Sequence, residues 1–205
     1  MAIGTESGRA GYPFFAMLSR MRHINRWGLM RNTRSENIQE HSLMVAMTAH
    51  ALALIRNRYF NGNVNPDRVA VIAMYHDCDE ILTGDLPTPV KYFNEGILNA
   101  YREVESAAKT RLLSMLPEDI RGDYGEIIFF GNDAGDSVIW RLVKAADTIC
   151  AYIKCLEELA GGNSEFATAA KSTKSKLDSI DLPEVGRFMS DYIDSFNLTL
   201  DDYGI

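Results

Sequence analysis

No stretch of this 205-residue chain sustains the apolar–polar alternation of a half-buried strand, whereas apolar residues at helical spacing recur along its length. That pattern predicts an all-α protein. Phe14, Phe15, Leu18 and Met21 have the spacing of one helical face, and residues 22–35 then turn polar and basic around Trp27, as a long structured loop would. Asn37 is placed to cap a helix running to about Arg58, with Glu40 where a capping box needs an acid. Asn65-Pro66-Asp67 sets a cap, a first-turn proline and a first-turn carboxylate before the next helix. Helical patterns follow over 93–116, after Pro117, over 137–160 with Asp136 as a cap and Gly161-Gly162 as a stop, and over 164–180 and 183–196. The length fits one domain, expected over 14–196, between a small-residue leader at 1–13 and a tail at 197–205.

Composition narrows the partners. Hydrophobic residues at 46% and charged ones at 24% are ordinary for a globular protein and exclude a disordered or collagen-like chain. Lys plus Arg at 21 against Asp plus Glu at 28 leaves −7, which disfavours a nucleic acid polymer. A small phosphate ester stays open, because one arginine or one metal ion offsets a negative global field. No apolar run approaches the ~18 residues of a membrane span, and the first twelve residues lack a signal peptide's apolar core. Cys78, Cys150 and Cys155 form no CxxC and suggest reduced thiols, so no disulfide, no membrane and a cytoplasmic setting are expected.

The chemistry concentrates where a helix apolar on every side, residues 69–75, ends in His76-Asp77-Cys78-Asp79-Glu80. At about 100° per residue, His76, Asp77 and Glu80 share one flank. Burying such groups without partners costs several kcal/mol, which one cation beside the helix would offset. More ligands must then come from elsewhere. His41 opens a largely apolar helix, and Asp147 interrupts an apolar run with Ala145-Ala146 before it and Ile149-Cys150 after it. Two imidazoles and two carboxylates suit Mn²⁺, Fe²⁺, Co²⁺, Ni²⁺ or Zn²⁺ better than Ca²⁺. Taken singly, each residue would read as a satisfied structural group, and His23 and His50 are read so; it is the ordered set that points to a metal.

The chain resembles the HD-domain metal-dependent phosphohydrolases and, within them, the bacterial 5'-deoxynucleotidases. The resemblance rests on residues 24–27 (INRW), 34–42 (RSENIQEHS), 73–77 (AMYHD), 82–94 (LTGDLPTPVKYFN), 144–147 (KAAD) and 151–158 (AYIKCLEE). It implies an all-helical homodimer with a metal site between helices. It further implies hydrolysis of deoxyribonucleoside 5'-monophosphates and dependence on one divalent transition ion, with cobalt, manganese or copper foremost and zinc or nickel as others. The implied ligands are His41, His76, Asp77 and Asp147, of which His41, Asp77 and Asp147 also touch substrate. Glu80 would orient or deprotonate the attacking water, Arg26 would clamp the phosphate, and Trp27 would pack on the sugar where a 2'-hydroxyl has no room. Asp85, Leu86, Pro87 and Thr88 would line the nucleotide site, with Asp85 protonating the departing 5'-oxygen. One departure stands out: Cys78-Asp79 replaces residues that are usually small or neutral, and the wheel sets Asp79 at the edge of the site with an added negative charge. Rival readings are hydrolysis of nucleoside triphosphates or signalling nucleotides, a non-catalytic nucleotide sensor, and a purely structural bundle.

Overall fold

The computed structural model describes residues 3–4, 10–133, 135 and 137–204. Apart from a two-residue antiparallel pairing of β1 (Ile3–Gly4) with β2 (Ala10–Gly11), the regular structure described is helical. That pairing is too short to leave an alternating signature in the leader. Contacts divide the chain into two compact units, each discontinuous in sequence.

The first unit takes residues 1–29, 35–42 and 75–135. It holds α1 (Phe14–Leu18), a tight turn over Ser19–His23, α4 (Glu80–Thr83), α5 (Thr88–Lys91), α6 (Glu95–Leu113), α7 (Glu118–Ile128) and α8 (Phe130–Asp133). The Asn94 side chain accepts from the Ile97 amide and starts α6; such a cap stabilises by about 1 kcal/mol. Phe14, Cys78, Leu112, Leu113, Leu116 and Ile128 form its main core. A second cluster of Met21, Ile38 and Ile81 lies under the loop that carries Arg26 and Trp27. That loop is fastened at its base by the Asn25–Asn37 bridge, with the Arg26 amide donating to the Glu36 carbonyl and the Ile38 amide to the Ile24 carbonyl.

The second unit takes residues 30–34, 43–74 and 136–205. It contains most of α2 (Ile38–Tyr59), α3 (Pro66–Met74), α9 (Val138–Ala160), α10 (Ala167–Asp178) and α11 (Pro183–Tyr192). α9 buries Leu142, Val143, Ala145, Ala146, Ile149, Cys150, Ile153 and Cys155. At roughly 1.5–3 kcal/mol for each large aliphatic side chain, this helix anchors the unit's core. Asn37 Oδ1 accepts from the Gln39 and Glu40 amides and Asn65 Oδ1 from the Arg68 amide, so both expected caps form. Gly161 closes α9 and Gly162 adopts φ +82°. Asp136, the expected cap of α9, lies outside the described residues. No disulfide joins the buried Cys78, Cys150 and Cys155, and among the described residues no helix is long and apolar enough to cross a membrane.

Two expectations need correction. α3 ends at Met74, which is 43% exposed, so the segment is not buried on every side. Residues 75–79 form turns in which the Cys78 amide donates to the Tyr75 carbonyl and the Glu80 amide to the Asp77 carbonyl. Aspartates are weak helix formers, and a helix end tightens readily into i→i−3 bonding. A wheel of 100° per residue therefore does not apply there.

Candidate metal and phosphate site

Three donors converge inside the first unit. His41 sits in the first turn of α2, four residues after the Asn37 cap, and is fully buried. His76 and Asp77 come from the turn after α3. One donor atom from each of the three lies within 4.8 Å of the others. Asp77 Oδ2 is 3.1 Å from His76 Nε2 and 3.8 Å from His41 Nε2. A mixed nitrogen and oxygen set at this spacing, largely removed from water, fits a divalent transition ion.

The same aspartate oxygen lies 3.4 Å from Arg26 Nη1. Glu36 holds the other side of that guanidinium, accepting from Arg26 Nε at 3.1 Å and from the Trp27 indole at 3.2 Å. Its second oxygen stands 4.0 Å from His41 Nδ1. Trp27 takes φ +58°, an uncommon conformation for a bulky residue, and its amide donates to Asp85 Oδ2 at 3.2 Å. Arg26 and Trp27 are thus fixed by three carboxylates, Glu36 at the end of the same loop and Asp77 and Asp85 from farther along the chain.

Glu80 opens α4, three residues after Asp77. In a three-residue turn positions i and i+3 eclipse, so Glu80 keeps company with Asp77 despite the lost helix. Glu80 Oε2 is buried and has no hydrogen-bond partner among the described residues. Burial, then the Asp77 and Asp85 charges, push its carboxyl well above the usual range, against the pull of Arg26. Burial also raises Asp85, partly offset by Arg26 and the Trp27 amide. A carboxylate whose pKa is raised binds a proton more readily, which is what a base working near neutral pH needs.

Asp79 is not among the three clustered donors. It is buried, 3.9 Å from Lys109 Nζ, which also donates to Asn132 Oδ1. Burial lifts Asp79 to about 6, with Lys109 opposing. The extra charge is opposed by that lysine and still acts on Asp77 and Glu80. Cys78 is fully buried in the apolar core, where burial raises its thiol and keeps it unreactive.

Leu86 and Pro87 lie half-buried in the loop after Asp85, and Thr88 starts α5 and is exposed. Asp147 belongs to the second unit: it sits on α9 among buried neighbours and accepts from Lys144 Nζ at 2.8 Å. His23 is exposed, and His50 faces Asp67 at 3.5 Å. Sequence reasoning assigned no role to Glu36, Tyr101 or Lys109. Glu36 stands in a motif noted above, but a loop without periodicity gives no sign that one acid serves two donors ten residues upstream.

Comparison with known proteins shows the family. The family described as 5'-deoxynucleotidase YfbR-like matches residues 13–196. A 5'-deoxynucleotidase of Photobacterium profundum is 51% identical over 189 residues, covering 92% of this chain and 96% of that protein. The 5'-deoxynucleotidase YfbR of Escherichia coli is 52% identical, covering 92% and 94%. Among solved structures, an HD-domain phosphohydrolase of Listeria innocua superposes with a TM-score of 0.78 at 20% identity, covering 89% and 87%. A cyanophage S-2L HD phosphohydrolase, solved with dA and one catalytic zinc ion, superposes with a TM-score of 0.57 at 19% identity, covering 89% and 95%. With the family matched across most of its length and half of its residues shared with such relatives, this chain belongs to the YfbR-like 5'-deoxynucleotidase family.

Proposed function

We propose that the chain hydrolyses deoxyribonucleoside 5'-monophosphates to deoxynucleoside and phosphate, using one divalent transition ion held by His41, His76 and Asp77, with Asp147 as the fourth ligand that the family resemblance implies. The observation that carries this reading is the convergence of two buried imidazoles and a carboxylate beside an arginine and a buried glutamate of raised proton affinity. A bound ion supplies Lewis acidity toward the attacking water and the phosphoryl oxygens. Arg26, gripped by Glu36 and Asp77, presents a fixed guanidinium to the phosphate. Glu80 takes the proton of the water whose oxygen attacks phosphorus. Asp85 returns a proton to the 5'-oxygen as its bond to phosphorus breaks.

Trp27, pinned at both its amide and its indole, packs on the sugar and leaves a 2'-hydroxyl no room. Leu86, Pro87 and Thr88 line the nucleotide beyond Asp85, and His41, Asp77 and Asp147 also touch substrate. Cobalt, manganese or copper is the expected ion, and zinc or nickel also suits the donors. The reading extends to a cytoplasmic homodimer.

A panel of deoxy and ribo 5'-monophosphates, with di- and triphosphates alongside, assayed with Mn²⁺, Co²⁺, Mg²⁺ and Zn²⁺, tests it. Preference for deoxy monophosphates is expected. Preference for triphosphates, or tight binding without turnover under every metal, would contradict it.

A further inference from the structure

We infer that Tyr101, on α6, is a positioning residue for Trp27 and thereby for the choice of a deoxy sugar; this rests on the function proposed above. Between the two residues runs a short chain of contacts, all within the first unit. The Tyr101 hydroxyl lies 3.1 Å from the Gly84 carbonyl and 3.2 Å from Thr83 Oγ1, and can donate its single proton to either. Thr83 Oγ1 donates to the same Gly84 carbonyl at 3.0 Å, so two hydroxyls meet on one oxygen. Gly84 has φ +73° and ψ 162°, a conformation open essentially to glycine alone. A Cβ there would meet nothing within 4 Å, so the glycine answers to backbone shape and not to crowding.

The next residue is Asp85, whose Oδ2 accepts the amide of Trp27 in its left-handed conformation. The glycine turn and the left-handed Trp27 thus meet through one carboxylate, and the Trp27 conformation, which costs roughly 1–2 kcal/mol, needs its surroundings to offset it. Tyr101 is a hold from outside the loop. Its own ring is clamped, because Lys91 Nζ sits 4.9 Å from the ring centroid and is fixed by Glu105 Oε1 at 2.7 Å. Removing only the hydroxyl leaves that clamp intact while taking one of the two donors from the Gly84 carbonyl, the one that comes from outside the loop.

The test is Tyr101→Phe in the full-length protein, with circular dichroism confirming an unchanged fold. The chain has two tryptophans, so in a Trp140→Phe background the emission reports Trp27 alone. Tyr101→Phe is expected to shift Trp27 emission to the red and to ease its quenching. It is also expected to lower the deoxy-to-ribo ratio of kcat/KM about fivefold, the size of one lost hydrogen bond, chiefly by raising KM for the deoxy substrate. Unchanged emission would overturn the inference, and so would an unchanged ratio in an enzyme that discriminates. Should the unmutated protein hydrolyse no deoxynucleotide, the proposed function fails, and the emission comparison alone still decides whether Tyr101 holds Trp27.

Discussion

Glu158 in the second unit and Glu80 in the first are both carboxylates withdrawn from water, and their surroundings push them in opposite directions. Glu158 accepts from the amide and hydroxyl of Thr33, from the Arg34 amide and from the Asn163 side chain, and is ion-paired with Lys154. Burial alone would raise it, but the bonds from Lys154, Asn163 and Thr33 outweigh burial and hold it well below the usual carboxylate range. Glu80 has no such ring of donors. One of its oxygens lacks a hydrogen bond, two aspartates stand nearby, and it rises. A fully satisfied buried acid is a fastening, here of Thr33 and Arg34 to α9. An unsatisfied one is a stored capacity to take a proton, and such groups cluster where chemistry is done.

The sharpest ways to break this contrast differ in size. His76→Ala should take phosphate release to background and remove metal from the purified protein; retained turnover would disconnect the cluster from the reaction. Glu80→Gln should lower kcat by about 10²–10⁴-fold while metal content and fold stay put. A decrease confined to KM would deny Glu80 its role in proton transfer.

Glu158→Ala should instead act on stability. It strands the buried Lys154, which costs about 3 kcal/mol in urea unfolding. The sign of its pH dependence follows from the lowered pKa of Glu158 in the folded state. Its contribution is complete above the ordinary value of 4.5 and fades as pH falls below it. The gap between the unmutated protein and the variant should therefore narrow steadily as pH falls below about 4.5; a gap that stays constant would refute the assignment. The smallest effect is expected of Trp27→Ala, which should narrow the deoxy-to-ribo preference by about tenfold with little change in unfolding. An unchanged preference would remove Trp27 from sugar selection.

What the sequence makes legible is local. Asn37 and Asn65 cap helices because a cap and the amides it accepts from lie within three residues, and Gly161-Gly162 stops α9 for the same reason. His76 and Asp77 announced themselves as polar residues after an apolar run. The geometry of the turn leaves no such sign: helical periodicity stops at Met74, where the backbone tightens and brings Asp79 to Lys109, thirty positions along the chain. Contacts between residues far apart in sequence leave no periodic trace. Glu36 under Arg26 and Trp27, and Tyr101 over Gly84, became visible only when packing brought their segments together.

The most direct measurement is phosphate release from dAMP or dTMP by the metal-stripped full-length protein, before and after one equivalent of Mn²⁺ or Co²⁺ is returned. No release before and recovery after is the expected result. Undiminished turnover in the stripped protein would contradict the central claim, that His41, His76 and Asp77 serve the reaction by holding an ion.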